Sequence, residues 1–128
     1  MMTFKWVARA RIVANLALGA VLLIWPSLPF EWLGEPTPRP EWIVGVVGVA
    51  MIYVALAHVA SAVAPGMAMS SNLFVLLGPI LPIAMLTWLG LTVPSRAALM
   101  LALYETAFVV LLIRTFQRSW FGDLAPRA

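Results

Sequence analysis

Four stretches of this chain lack the alternation of polar and apolar positions that a water-facing helix or strand needs. They run from about Trp6 to Trp25, Trp42 to Ala62, Ser71 to Leu91 and Arg96 to Ile113. Each falls within the roughly 17–25 residues that an α-helix needs to cross a bilayer. Most of the connections between them are short, so the pattern predicts an all-α, antiparallel up-down bundle of four transmembrane helices, one domain over residues 1–128. Pro65-Gly66 predicts the turn between the second and third helices, with Ser70 or Ser71 capping the third. Pro94 ends the third helix and Ser95 stands where it caps the fourth. The connection "PSLPFEWLGEPTPRPEW" carries five of the ten prolines. It is therefore expected to be extended or turned, with "PFEWLG" on the membrane surface.

Tryptophan and charge give this pattern a depth and a direction. Trp6 and Trp25 are 19 positions apart, about 28 Å on a helix, which matches the hydrocarbon thickness at whose edges tryptophans settle. Trp32, Trp42 and Trp88 join Trp25 at one interface, and Trp120 joins Trp6 at the other. Lys5, Arg9, Arg11, Arg114, Arg118 and Arg127 fall on one face and only Arg39 and Arg96 on the opposite one. Basic residues of short loops stay in the cytoplasm, so both termini are expected there. A composition 63% hydrophobic and 10% charged, with a mean hydropathy of +1.00, is that of a membrane protein. The net charge of +3 follows from topology and forms no nucleic-acid patch. The start, "KWVARARIVANLALGAVLLIW", has the basic front and apolar centre of a secretory signal, but "WPSLPFEW" follows in place of a small-x-small cleavage site. The first helix is expected to be retained.

Without cysteine there is no disulfide, thiolate metal site, iron–sulfur cluster or cysteine nucleophile. A single histidine, His58, cannot supply both axial ligands of a haem or a histidine-rich metal site within one chain. No cofactor and no metal are expected.

The chemistry-bearing residues gather near the centres of the helices: Asn15 in the first, Tyr53 in the second and Glu105 in the fourth. The third helix contributes Pro79 and Pro82, which kink it and leave the carbonyls of Val75 and Gly78 without backbone donors. Arg96 and Arg114 lie nine positions from Glu105, too far along the helix to reach it, so its partner must come from another helix or another chain. An unpaired charge at this depth costs about 3 kcal/mol or more. Glu105 is therefore expected to be neutral, donating with Asn15 and Tyr53 to the carbonyls freed by the prolines, and able to carry a proton. Ala50, Tyr53, Ala57 and Ala60 form one small-residue face, and Ala8, Asn15 and Gly19 another; both are expected to face inward. His58 is rotated about 140° from Tyr53, so both cannot face one narrow cavity, and it ranks behind Tyr53.

The stretches "LLIWPSLPFEWLG", "EWIVGVVGVAMIYVALAHVA" and "LALYETAFVVLLIRTF" resemble the small four-helix bacterial membrane proteins grouped as DoxX-like. The resemblance rests on Pro26, Gly34, Trp42, Gly48, Tyr53 and Glu105. It implies a four-helix fold and, from members associated with quinone-linked oxidoreductases, an accessory role. The single embedded glutamate is similar to that of small multidrug-resistance exporters, but there it lies in the first helix and here in the fourth.

Three functional expectations follow. The first is a non-catalytic accessory or scaffold subunit of a bacterial inner-membrane complex, partnered by the bilayer and by another membrane protein or a second copy of itself. The second is a dimeric, proton-coupled transporter or binder of a small amphipathic molecule, using Glu105. The third is a lipid- or quinone-directed enzyme with Glu105 and Tyr53 as acid and base.

Overall fold

A computed structural model describes residues 3–67, 69–92 and 94–121, and among them all regular structure is helical. Among the described residues three helices are long and apolar enough to cross a membrane: α1 (Phe4–Ile24), the segment Ser70–Thr92, and the segment Arg96–Arg118 within the last helix. Between α1 and the second apolar segment, α2 (Leu28–Leu33) forms from "LPFEWL" and ends on Gly34 at φ 66°, a left-handed conformation that glycine adopts at low cost. The loop expected to be extended or turned thus contains a short helix, within the part expected on the membrane surface.

The second segment is broken. α3 (Trp42–Ala57) has 16 residues, about 24 Å of helix, and α4 (Val59–Val63) follows after a one-residue interruption at His58. The cause is local. The carbonyl of Val54 takes both the backbone N–H of His58 at 3.2 Å and the ring Nδ1 at 2.6 Å, and a side chain inserted into the helical ladder is a recognised source of kinks. A short 3₁₀ turn, Pro65–Met67, leads to α5 (Met69–Leu77). Ser71 does not cap this helix. Its hydroxyl donates to the carbonyl of Ala57 and accepts from Ser61, both at 3.1 Å, while Asn72 Nδ2 donates to Pro65 O at 2.7 Å. These bonds tie α5 to the break.

Gly78 and Pro79 separate α5 from α6 (Ile80–Thr92), as the missing donor of proline requires. The last helix, α7 (Arg96–Phe121), is longer than the apolar pattern predicts. Ser95 accepts from the N–H of Ala98 at 3.3 Å, and the Glu35 carboxylate accepts from the N–H groups of Arg96 and Ala97 at 2.5 and 3.3 Å. An anion at a helix N-terminus is favoured by the helix dipole, and it fastens the connection between α2 and α3 to α7.

α1 packs against α3, α4 and α7, while α7 packs against α1, α5 and α6. The α1–α3 crossing is close: a Cβ added at Gly19 would lie 2.7 Å from the Gly48 carbonyl, and one at Gly48 2.8 Å from that of Gly19. One half of the bundle has a continuous apolar core of Phe4, Val7, Ala8, Ala62, Val75, Leu76 and Leu112, closed by the edge-to-face pair Phe4–Phe116 at 5.4 Å. In the other half α3 and α6 do not close on each other, and a cavity of about 570 Å³ runs between them. The tryptophans Trp6, Trp25, Trp32, Trp42 and Trp88 are all exposed, whereas the side chain of Trp120 and residue Arg127 lie outside the described part.

Candidate functional site

Where the packed half ends and the open half begins, the buried stripes of three helices each carry a polar residue. On α1 the stripe is Phe4, Val7, Ala8, Arg11, Asn15, Gly19 and Leu22, spaced by three and four. On α3 it is Val44, Gly48, Met51 and Ala55, and two helical turns beyond Met51 it reaches His58. On α7 it is Ala98, Ala102, Glu105, Val109 and Leu112. Arg11, Asn15, His58 and Glu105 are 0%, 0%, 1% and 6% exposed.

The antiparallel register follows from the Gly19–Gly48 crossing. Eight residues from Gly19 toward the chain start lies Arg11, and ten from Gly48 in the opposite chain direction lies His58, so the two occupy similar levels. Arg11 reaches across to α7, where its Nη2 donates to Glu105 Oε2 in a buried salt bridge. One turn along α1, Asn15 Oδ1 accepts from the hydroxyl of Tyr104, the residue beside Glu105. The Tyr104 ring meets Phe108 edge-to-face at 5.1 Å.

Several expectations are corrected here. Glu105 is not a neutral donor to the carbonyls of Val75 or Gly78; it faces a guanidinium, which stays protonated in proteins. Arg11 is not a topological charge at the membrane edge but the partner of Glu105. Tyr53 is 68% exposed, on the side of α3 away from α1, and Ala50 and Ala60 are exposed with it. Because α3 is rich in small residues on more than one face, small size could not identify the face that meets α1. His58, ranked behind Tyr53, takes the inward position, and the hydroxyl in this layer is that of Tyr104, which donates to Asn15 and not to a carbonyl freed by a proline. Asn15 lies in the buried layer, while Pro79 and Pro82 border the open cavity. The spacing Arg11–Asn15–Gly19, four and four, was the signal that could have placed Arg11 on the inward face.

The cavity is a lateral groove. Val46, Ala50 and Val54 form its α3 wall, Pro79, Pro82 and Leu86 its opposite wall, and Arg11, His58 and Glu105 reach it from its inner end. Almost everything else it exposes is apolar. Arg11 Nε, Arg11 Nη1 and His58 Nε2 are buried with no hydrogen-bond partner. Buried polar groups are nearly always paired, and each one left alone costs about 1–3 kcal/mol or more. Because Nδ1 of His58 faces a carbonyl, which only accepts, Nδ1 carries the ring proton and Nε2 of the neutral ring presents a lone pair. Arg11 and His58 thus border the groove while carrying, beneath its surface, unfilled donors on the one and an unfilled acceptor on the other. Among the described residues no three His, Asp or Glu side chains come together to hold a metal ion.

Comparison with protein-family models, curated proteins and solved structures gives no significant match.

Proposed function

We propose that this protein binds a small amphipathic molecule that enters sideways from the bilayer, its chain between α3 and α6 and its head at Arg11 and His58. The observation that carries the reading is a buried guanidinium with two unpaired N–H-bearing nitrogens at the end of an otherwise apolar groove. Ionisable residues inside a membrane are functional by default, and ligand sites are typically apolar clefts with a few convergent polar groups. Glu105 then holds and neutralises Arg11, and proton exchange at Glu105 is not part of the proposal.

The proposal places four spans in a bacterial inner membrane, with α3 and α4 together making the second and both termini in the cytoplasm. Removing Arg11 from the charge count still leaves Lys5, Arg9, Arg114 and Arg118 opposed to Arg39 and Arg96. It also includes kinship with the DoxX-like proteins, which rests on the sequence motifs around Pro26, Gly34, Trp42, Gly48, Tyr53 and Glu105. An accessory subunit could place a helix of another chain in the groove. An apolar helix there would leave Arg11 Nε and Nη1 without acceptors, so the ligand reading is preferred.

Ala50 lines the groove from an exposed position, so Ala50→Trp should fill it without touching the polar cluster. Native mass spectrometry of protein released from nanodiscs doped with single-chain amphiphiles should find one bound per wild-type chain and none on Ala50→Trp. Equal loading of both proteins, or none on the wild type, would overturn the reading.

A further inference from the structure

Resting on that binding reading, we infer that the ligand is a long-chain carboxylic acid held in its neutral form, its carbonyl oxygen accepting from Arg11 and its hydroxyl donating to Nε2 of His58. Three observations select this head group. The first is the pairing of vacancies: the site lacks an acceptor for Arg11 Nε and Nη1 and a donor for His58 Nε2. A carboxylic acid presents an acceptor for one of these nitrogens and the donor for His58 on adjacent atoms, whereas an ester or ketone presents the acceptor alone.

The second is charge. Arg11 and Glu105 already cancel within one salt bridge, so a bound anion would leave the buried site with an uncompensated negative charge, which an apolar surround strongly disfavours. A neutral acid adds none, and passage of its proton to Nε2 would leave the total unchanged. Among the described residues the other unpaired buried atoms, Asn15 Nδ2 and Asn72 Oδ1, belong to residues that do not border the groove and do not alter this count.

The third is depth and length. Arg11 lies five residues from Trp6, about 8 Å inside the interface that Trp6 marks, too deep for a hydrated head group. From His58 to Val46, both bordering the groove, α3 rises about 18 Å, room for an extended acyl chain directed away from the cytoplasmic side.

The test uses the full chain in phosphatidylcholine nanodiscs with myristic acid carrying ¹³C at its carboxyl carbon, compared with its methyl ester and with tetradecanol. The acid should give a protein-bound carboxyl resonance distinct from the bilayer-dissolved one, and should bind about tenfold or more tightly than either analogue, as expected when a buried donor or acceptor is left unmatched. His58→Leu should bring the acid-to-ester ratio close to one while the ester still binds. Ester or alcohol binding as tight as the acid's, or an unchanged ratio in His58→Leu, would overturn the head-group inference and leave the groove reading standing. Absence of binding by all three probes would overturn both. If His58→Leu fails to fold, the wild-type ratios among the three probes decide alone.

Discussion

Neutralising Glu105 and neutralising Arg11 are not equivalent, because a carboxyl group can take up a proton and become neutral whereas a guanidinium cannot lose one. Glu105→Gln leaves a buried cation without its counter-ion and should cost about 3–5 kcal/mol. Arg11→Leu should cost less, and Arg11→Leu with Glu105→Leu should return most of the stability, since a buried pair is often replaceable by apolar side chains. Unfolding of the four proteins in mixed micelles would check the order; a silent Glu105→Gln would restore the neutral-donor reading that the sequence favours. The two tyrosines make a second contrast. Tyr104→Phe removes the bond to Asn15 and should cost about 0.6 kcal/mol, seldom above 2, while Tyr53→Phe, on an exposed side chain, should leave the unfolding midpoint unchanged. Glu105 and Asn15 were legible because a polar group in an apolar run stands out. Arg11 was not, since its place near the basic start of α1 let it pass for an orientation signal. Only its four-residue spacing from Asn15 set it on the inward face.

At the scale of helices, the α1–α3 crossing depends on two glycines whose backbones nearly touch. Gly48→Ala would put a Cβ 2.8 Å from the Gly19 carbonyl and 3.1 Å from the Leu22 Cβ, forcing the helices apart. Such overpacking costs about 1–3 kcal/mol. Gly45→Ala has its nearest neighbour at 3.9 Å, a side-chain atom of Leu23, and should be neutral or slightly stabilising through helix propensity. Thermal melts of both variants in one detergent would check the contrast. The two helix breaks differ in how they are written. The one at Pro79 can be read from the sequence, because proline cannot donate. The one at His58 cannot, because it arises from a side chain competing for a carbonyl four residues back. That competition ends α3 where His58 is needed beside Arg11. Ser70 and Ser71 mislead for a similar reason: helix α5 begins at Met69, and the Ser71 hydroxyl serves the neighbouring helix.

Across the whole molecule, a closed apolar core occupies one half and an open groove the other, with the charged cluster at their boundary. The apolar periodicity predicted helices and their approximate limits, but it holds no information about which neighbours leave a gap. A groove wall that faces lipid is as apolar as a packed interface. The proposed four spans with both termini inside predict cytoplasmic reporter activity from fusions at either end, and activity at one end alone would contradict that topology. The central claim is that Arg11, held by Glu105 through Nη2, keeps its other nitrogens for a molecule in the groove. Solid-state NMR of ¹⁵N-arginine-labelled protein in bilayers reads those nitrogens directly, with Arg11→Lys identifying the signals. Added myristic acid should shift the Nε or the Nη1 signal of Arg11, leave Nη2 nearly in place, and shift none of them in Ala50→Trp. Signals that stay fixed in the wild type, or move equally in Ala50→Trp, would contradict the account.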